Sequence, residues 1–451
     1  MVDANLTQIR LPLTKKIVRF PSKEFKVTIM ALLFRIFLIV SKLIVITSLI
    51  TPVALADAFD KKLDRAIEIS AAKLEQHAQR TGPERFTCYT DTDGQWIGRG
   101  LNGWCCGFSA GLMWMMHDLT GDQKWADYGR DWNDSIRPRA SASDNDTGFQ
   151  IFNSFGYALR HGDTILTQEE KRDYVNVLRW ASNTFTTQRY NAHVGGFRTW
   201  PPTLHNPYEG EFEINSDMIM NMELPIWVVK NTGDMDLLDK IARHEETTWK
   251  HTIFKDGDAQ WEGTKSKEYA DRKPGSHWHV VGFNPETGAV IDKRTEQGDK
   301  TESTWSRGQA WLIYGYTMLY RYTGYQRYLV RAEFVFDYYM SALNAQSKDS
   351  IPYSDFDAPV DKRNPLDTSA AAVVASASVE LYQMTDEKKY LKTAKNILND
   401  LTSNTYLTAS QDYEAILTRG SHSYDRGEEV GTIFGDFYLI EAISRYRQLK
   451  K

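Results

Sequence analysis

Four short stretches constrain this chain more than any other feature: DLTGDQKW (118–125), KNTGDMDLL (230–238), RYTGYQRYL (321–329) and QMTDEKKYL (383–391). Each ends one run of helical periodicity on Thr-Gly or Thr-Asp and starts another within a few residues, which is the pattern of a helical hairpin turn. ALRHGDTILTQEEKRDY (158–174) is a looser version. Weak repeats of this kind predict an architecture of stacked hairpins. A pass for periodicity places helices near 57–78, 104–119, 122–135, 146–161, 167–186, 214–231, 234–252, 306–323, 325–344, 366–384, 386–404 and 431–449, and few convincing strands. Six hairpins in a chain of 451 residues fit an all-α fold, the (α/α)6 barrel, in which six inner helices enclose a funnel. Inner helices should be apolar on more than one side, as CCGFSAGLMWMMHDL, DMIMNMELPIWVV, WLIYGYTML and DTSAAAVVASASVELY are. Their partners DYVNVLRWASNTF and KKYLKTAKNIL show one apolar stripe and one charged face. The stretch 253–305, rich in Gly, Asp, Lys and Pro, reads as a long non-helical insertion of the kind that carries function.

Residues 1–56 differ in kind. They hold eight Lys/Arg against two acids and end in an apolar run, LIVITSLITPVALA, closing on Ala54-Leu55-Ala56. This predicts a signal peptide over 1–56, a mature domain over 57–451, and export to the periplasm or beyond. Without that segment the formal charge falls from −5 to −11. So acidic a chain, with no basic run, argues against nucleic acid and, once the signal is cleaved, against a membrane as partner. Three cysteines, Cys88, Cys105 and Cys106, allow one disulfide from Cys88 to either neighbour. His277 and His279 flank Trp278, yet no acidic or cysteine partner stands at a metal-ligand spacing, so no metal is expected.

The chemistry-bearing residues stand at the mouths of the inner helices. Asp146 lies in NDTGFQIFN and Asp217 in EINSDMIMN, each where a helix is expected to open. An N-cap role is the bland alternative for Asp146; at 217 it is weaker because Ser216 can serve. A carboxyl at the mouth of an apolar helix is desolvated, which keeps it protonated toward neutrality. In SRGQAWLIYGYTMLYRYTG (306–324), Ser306 and Gln309 read as a capping box, Gly324 as the C′ residue, and mid-helix Gly315 as a point of close packing. Arg307 and Trp311, four apart, share one face, offering a guanidinium and a flat apolar wall to an anionic ring. Thirteen tryptophans and 23 tyrosines suit stacking on sugars.

The segments SDMIMNMELPIW (216–227), SHWHVVGFNPETG (276–288), EQGDKTESTWSRGQAW (296–311), YGYTMLYRYTG (314–324) and LDTSAAAVVAS (366–376) together resemble glycoside hydrolase family 88, the unsaturated glucuronyl hydrolases. The resemblance spans essentially the whole mature chain. It implies an (α/α)6 barrel that removes the Δ4,5-unsaturated uronic acid left by polysaccharide lyases at a non-reducing end, with no cofactor. Its partners would be oligosaccharides ending in that sugar. By motif, Asp217 matches the family's proton donor and water activator, and Asp146 the second aspartate, which holds sugar hydroxyls; beside polar Asn145 and Thr147, Asp146 is expected to stay ionised. His279, Gln297, Arg307 and Trp311 match subsite residues, with Trp104 and Trp200 as stacking platforms and Arg307 as the clamp on the uronate carboxylate. Asn145 stands where the family often has His. The region before the last helix reads EEVGTIFGDF without the Ser-x-Ser-x-Lys stretch of members that act on sulfated glycosaminoglycans. That departure, with Glu428 and Glu429, disfavours a 6-sulfated hexosamine and makes an ulvan-derived substrate the preferred expectation. Family 105 hydrolases, an (α/α)6 epimerase using histidines, and a non-catalytic carbohydrate-binding protein are the competing readings.

Overall fold

The computed structural model describes residues 58–200, 210–258 and 272–450. The expected signal peptide and its cleavage motif therefore lie outside the described residues. The chain divides into two compact units, Met1–Lys61 and Lys62–Lys451. Apart from the first residues of the first helix, every described element belongs to the second unit.

Helix α1 covers 58–81, and the hairpin β1 (Phe86–Thr90) and β2 (Trp96–Arg99) follows it. Helices α2 (Phe108–Thr120), α3 (Gln123–Ile136), α4 (Tyr157–His161) and α5 (Gln168–Arg189) come next, α4 being entered through a π-helical segment, Gly148–Gly156. Beyond the short strands β3 (Tyr190–Asn191) and β4 (Gly196–Phe197) lie β5 (Phe212–Asn215), α6 (Met218–Asn221), α7 (Glu223–Thr232) and α8 (Met235–Thr252). The chain continues with β6 (Val280–Phe283), β7 (Val290–Arg294), α9 (Ser306–Thr323), α10 (Gln326–Gln346), α11 (Thr368–Thr385) and α12 (Lys388–Leu401). After β8 (Gly420–Ser421) and β9 (Glu429–Val430), α13 (Ile433–Gln448) ends the fold.

The hinges explain the repeats. Gly121, Gly233, Gly324 and Asp386 all adopt the left-handed conformation, with φ of 71°, 72°, 67° and 57°. Before each, a threonine hydroxyl (Thr120, Thr232, Thr323, Thr385) donates to the carbonyl four residues back and accepts the N–H two residues on. Helix end and turn are thus satisfied by one side chain, so the Thr-Gly pair recurs.

The ring is built from α2, the π-segment with α4, the α6–α7 pair, α9, α11 and α13, each packed on the next, with α13 closing on α2. In α11 every residue from Thr368 to Leu381 is buried, and in α13 every residue from Ile433 to Tyr446. Outer helices bury a single stripe, as α12 does with Tyr390, Thr393, Ala394, Ile397, Leu398 and Leu401. This is the (α/α)6 barrel.

Three local expectations are corrected. The insertion at 253–305 is non-helical in its described part, but it is not structureless: β6 pairs antiparallel with both β5 and β7 in one three-stranded sheet. The helix expected over 214–231 starts late, because Phe212–Asn215 is the strand, and it breaks at Met222. The Ser306–Gln309 capping box does not form: Trp305 is the N-cap and supplies no side-chain bond. Gln309 instead reaches into the insertion, donating to the Gly275 carbonyl and bonding His277 Nδ1 at 2.8 Å. Gly315 is a close approach, where a Cβ would run into Ile219 of α6.

Candidate functional site

A cavity of about 100 Å³ opens where the inner helices begin, and a wider one of about 660 Å³ adjoins it. The inner cavity is lined by Trp104, Asn145, Asp146, Trp200, Asp217, Gln297, Arg307 and Trp311, all read from the sequence, together with Tyr89, Phe149, Asn215 and Trp305. Most of its residues come from the approaches to, or the first turns of, α2, the π-segment, α6 and α9, with Tyr89 from β1 and Trp200 from beyond β4. His279 does not line it.

Asp217 sits at the entrance to α6, but its side chain caps nothing. Asn215 does the capping, accepting the Met218 N–H at 3.0 Å, which corrects the assignment of that role to Ser216. The Ser216 hydroxyl instead donates to Asp217 Oδ1 at 3.0 Å. Burial pushes the Asp217 carboxyl up to about 6, against the opposing pull of that hydroxyl and of the Arg307 charge.

Asp146 is held by two amides: Asn145 Nδ2 donates to Oδ2 at 2.8 Å and Asn221 Nδ2 to Oδ1 at 3.3 Å. The surroundings oppose the expectation that it stays ionised. Burial first, then the nearby Asp144 and Asp217 charges, hold its carboxyl well above the usual aspartate range. Its polar neighbours Asn145 and Asn221 do not offset loss of water and two like charges.

Arg307 is fully buried, and its bonding does not suit the bidentate clamp read from the sequence. One terminal nitrogen bonds Asp367 Oδ2 at 2.5 Å and the Ser421 carbonyl at 2.8 Å; the other bonds the His422 carbonyl at 2.7 Å and lies 3.5 Å from Gln297 Oε1. Only Nε lacks a partner among the described residues. The guanidinium stacks between Trp305 and Phe434, 4.6 and 5.0 Å from the ring centres. Asp367, the N-cap of α11, is therefore its counter-ion, and Arg307 joins α9, α11 and the 420–423 loop.

His279 is wholly buried behind Asp217. Its Nδ1 accepts the Glu296 backbone N–H at 3.2 Å, which leaves the proton on Nε2, 3.8 Å from Asp217 Oδ1. Burial, with the nearby His277, Arg294 and Arg307, holds the ring well below the usual histidine range, hence neutral. The structure thus places His279 beside the carboxyl rather than on the cavity wall. His277 and His279 are bonded to Gln309 and Glu296, and among the described residues no group of three or more His, Cys, Asp or Glu is arranged to hold a metal.

The aromatic wall is continuous. Phe149 lies 5.5 Å from Trp104 and 5.4 Å from Trp311, and Trp104 lies 4.9 Å from Phe434. Cys88 is bonded to Cys105, tying the strand that carries Tyr89 to the loop that carries Trp104; Cys106 is free and buried. The wider cavity adds Arg189, Glu296, His422, Asp425 and Arg426. Arg426 belongs to no motif of the sequence reading and precedes the EEVGTIFGDF stretch that carried the sulfation argument. Glu428 and Glu429 do not line either cavity, and Glu429 pairs with Arg419 at 2.7 Å. The charged groups at the rim are therefore not Glu428 and Glu429 but Asp144, Glu296 and Asp425 together with Arg189 and Arg426.

A family model, Glycosyl Hydrolase Family 88, matches residues 76–448. The chain is 34% identical over 350 residues to an unsaturated glucuronyl hydrolase of Formosa agariphila, covering 77% of this chain and 80% of that protein. It is 26% identical over 387 residues to an unsaturated glucuronyl hydrolase of Bacillus sp. strain GL1, covering 84% and 94%. Among solved structures, that of an unsaturated glucuronyl hydrolase specific for heparin matches with a TM-score of 0.75 and 29% identity, over 87% of this chain and 98% of that one.

Proposed function

The chain belongs to glycosyl hydrolase family 88 and is a glycosidase, and on that premise we propose that it removes a Δ4,5-unsaturated uronic acid from the non-reducing end of lyase-generated oligosaccharides. The observation that carries the reading is the pair Asp146 and Asp217, two carboxyls pushed toward their neutral forms in one tryptophan-lined cavity.

The chemistry such a pair supports is hydration of a vinyl ether. Neutral Asp217 gives its proton to C4 of the unsaturated ring. The positive charge that develops at C5 is met by water, which the same carboxylate deprotonates. The hemiketal at C5 opens, and the glycosidic bond is lost with it. No displacement occurs at the anomeric carbon, so carboxyl separation does not predict stereochemistry as it does for other glycosidases. Asp146 in its neutral form can both donate to and accept from ring hydroxyls. The flat C4=C5 region suits the Trp104–Phe149–Trp311 wall.

The solved relative specific for heparin supports glycosaminoglycan fragments as the substrate class, and ulvan fragments remain part of the proposal. Export to the periplasm belongs to it too, and the Cys88–Cys105 bond suits an oxidising compartment. The test is loss of the near-ultraviolet absorbance of the conjugated double bond, across lyase products of heparin, chondroitin, hyaluronan, gellan and ulvan. In deuterated water the released 4-deoxy sugar should carry deuterium at C4. Unchanged absorbance across the panel overturns the activity; a product without deuterium at C4 overturns the protonation step.

A further inference from the structure

Asn221 lies four residues after Asp217, one turn further along the same inner helix, and its side chain points across to the segment that carries Asp146. It is almost wholly buried, at 1% exposure. Its amide makes two different bonds. Oδ1 accepts the Phe149 backbone N–H at 2.9 Å, and Nδ2 donates to Asp146 Oδ1 at 3.3 Å. A backbone N–H can only donate, so it dictates which end of the amide faces it, and the NH₂ end is left facing the carboxyl. The approach that permits this is unusually close. A Cβ on Gly148 would fall 2.5 Å from Asn221 Cα and 2.6 Å from its carbonyl oxygen. Glycine at 148 therefore lets two backbones come together where the π-helical segment begins, and π-helical geometry is frequent at functional sites.

We propose that Asn221 is a positioning residue that ties the Asp146 carboxyl to the helix bearing Asp217, so that the two carboxyls keep one mutual geometry through turnover. The proposal rests on the functional reading above in assigning the chemistry to this pair. Asn145 and Asn221 each donate to a different oxygen of Asp146, which fixes both the position and the plane of that carboxyl. The charged groups around it are Asp144 and Asp217, which oppose its ionisation, and Arg189, which favours it. Against that background the Asn221 donor acts on the same side as Arg189, stabilising the anion.

Two variants test this. Asn221→Asp keeps the volume and an oxygen for the Phe149 N–H, but sets an oxygen where the donor to Asp146 was. Gly148→Ala keeps every polar group and pushes the two segments apart. For both we expect kcat to fall roughly tenfold or more, with KM changing about threefold or less, since the loss is of geometry in the transition state. In Asn221→Asp the infrared titration of the Asp146 carboxyl, identified by its loss in Asp146→Asn, should move to higher pH in the ligand-free protein. Melting temperature is read alongside to establish that each variant folds. An unmoved Asp146 titration in a folded Asn221→Asp variant overturns the proposal, as does native kcat in either folded variant. The titration requires no substrate. If wild-type protein turned over no unsaturated uronide, the functional reading would fall while the role of Asn221 was still decided.

Discussion

Replacing Asp217 by asparagine should destroy turnover and make the protein more stable, and the gain should depend on pH in a defined way. Burial raises the Asp217 carboxyl from the ordinary 3.8 to about 6. A tenfold change in proton affinity is worth about 1.4 kcal/mol, so the native fold bears an ionisation cost of up to about 3 kcal/mol at this one side chain. Asp217 is 17% exposed, so solvent screening leaves about 1–3 kcal/mol. The sign follows from which state binds the proton more tightly. The folded state does, so wild-type stability is lost as pH rises from the unfolded value of 3.8 through about 6, and the full cost applies above that. Asparagine keeps the shape and accepts the Ser216 hydroxyl, but it has no proton to lose.

Melting temperatures of wild type and Asp217→Asn should therefore nearly coincide near pH 4 and separate as pH rises. For a domain of this size the plateau above pH 6 corresponds to about 2–4 °C. The same titration governs the rate. If neutral Asp217 protonates C4, wild-type kcat/KM should fall tenfold per pH unit above about pH 6. Scanning calorimetry and a pH–rate series on one preparation read both. A variant that is less stable than wild type above pH 6, or whose stability difference is flat from pH 4 to 8, would refute the argument that this carboxyl is strained toward its neutral form.

Arg307→Ala should be foremost a stability defect, because it leaves Asp367 buried without its counter-ion; the expected loss is about 3–5 kcal/mol, read by denaturant unfolding, and unchanged stability would reject the ion-pair role. Arg307→Lys should recover only part of it, since an ammonium cannot reach Asp367 and two carbonyls with one planar fork. Arg426 stands exposed at the rim of the wider cavity, and Arg426→Ala should raise KM severalfold for oligosaccharides with a sulfate or carboxylate next to the scissile bond and leave neutral ones unchanged; equal effects on both would remove it from recognition.

What was legible in the sequence was whatever a few neighbouring residues determine. The hinges were, because Thr120, Thr232, Thr323 and Thr385 bond within their own turns. Most helices were, because their apolar stripes are local, although the one expected over 214–231 starts late and breaks at Met222. The sheet of β5, β6 and β7 was not: four- and five-residue strands give little periodicity, and two of them sit in a segment whose composition reads as loop. Asp146 and Asp217 could be placed at helix mouths from sequence alone. The protonation of Asp146 could not, since it depends on Asp217, 71 residues away, and on Asp144 across the turn. The partners of Arg307 were hidden for the same reason, because Asp367 and the Ser421 and His422 carbonyls approach it only in the closed ring.

That last correction changes where an anionic ligand would find positive potential. With Arg307 neutralised by Asp367, a uronate carboxylate cannot rely on an unpaired guanidinium. The ring offers another source. Trp104 precedes α2, Asp146 precedes the π-segment, Asp217 precedes α6 and Arg307 opens α9; these four line the cavity. Asp367 caps α11 and Phe434 lies in the first turn of α13, both in contact with Arg307. All six inner helices therefore direct their N-terminal ends toward one small space, and the partial positive charge there favours an anion. The same field should favour ionised aspartates, yet both carboxyls shift the other way. Desolvation is the largest influence on Asp146 and Asp217 in the ligand-free site. On the proposed function, a bound uronate would bring a negative charge beside both carboxyls, raising them further and favouring the protonated form of Asp217.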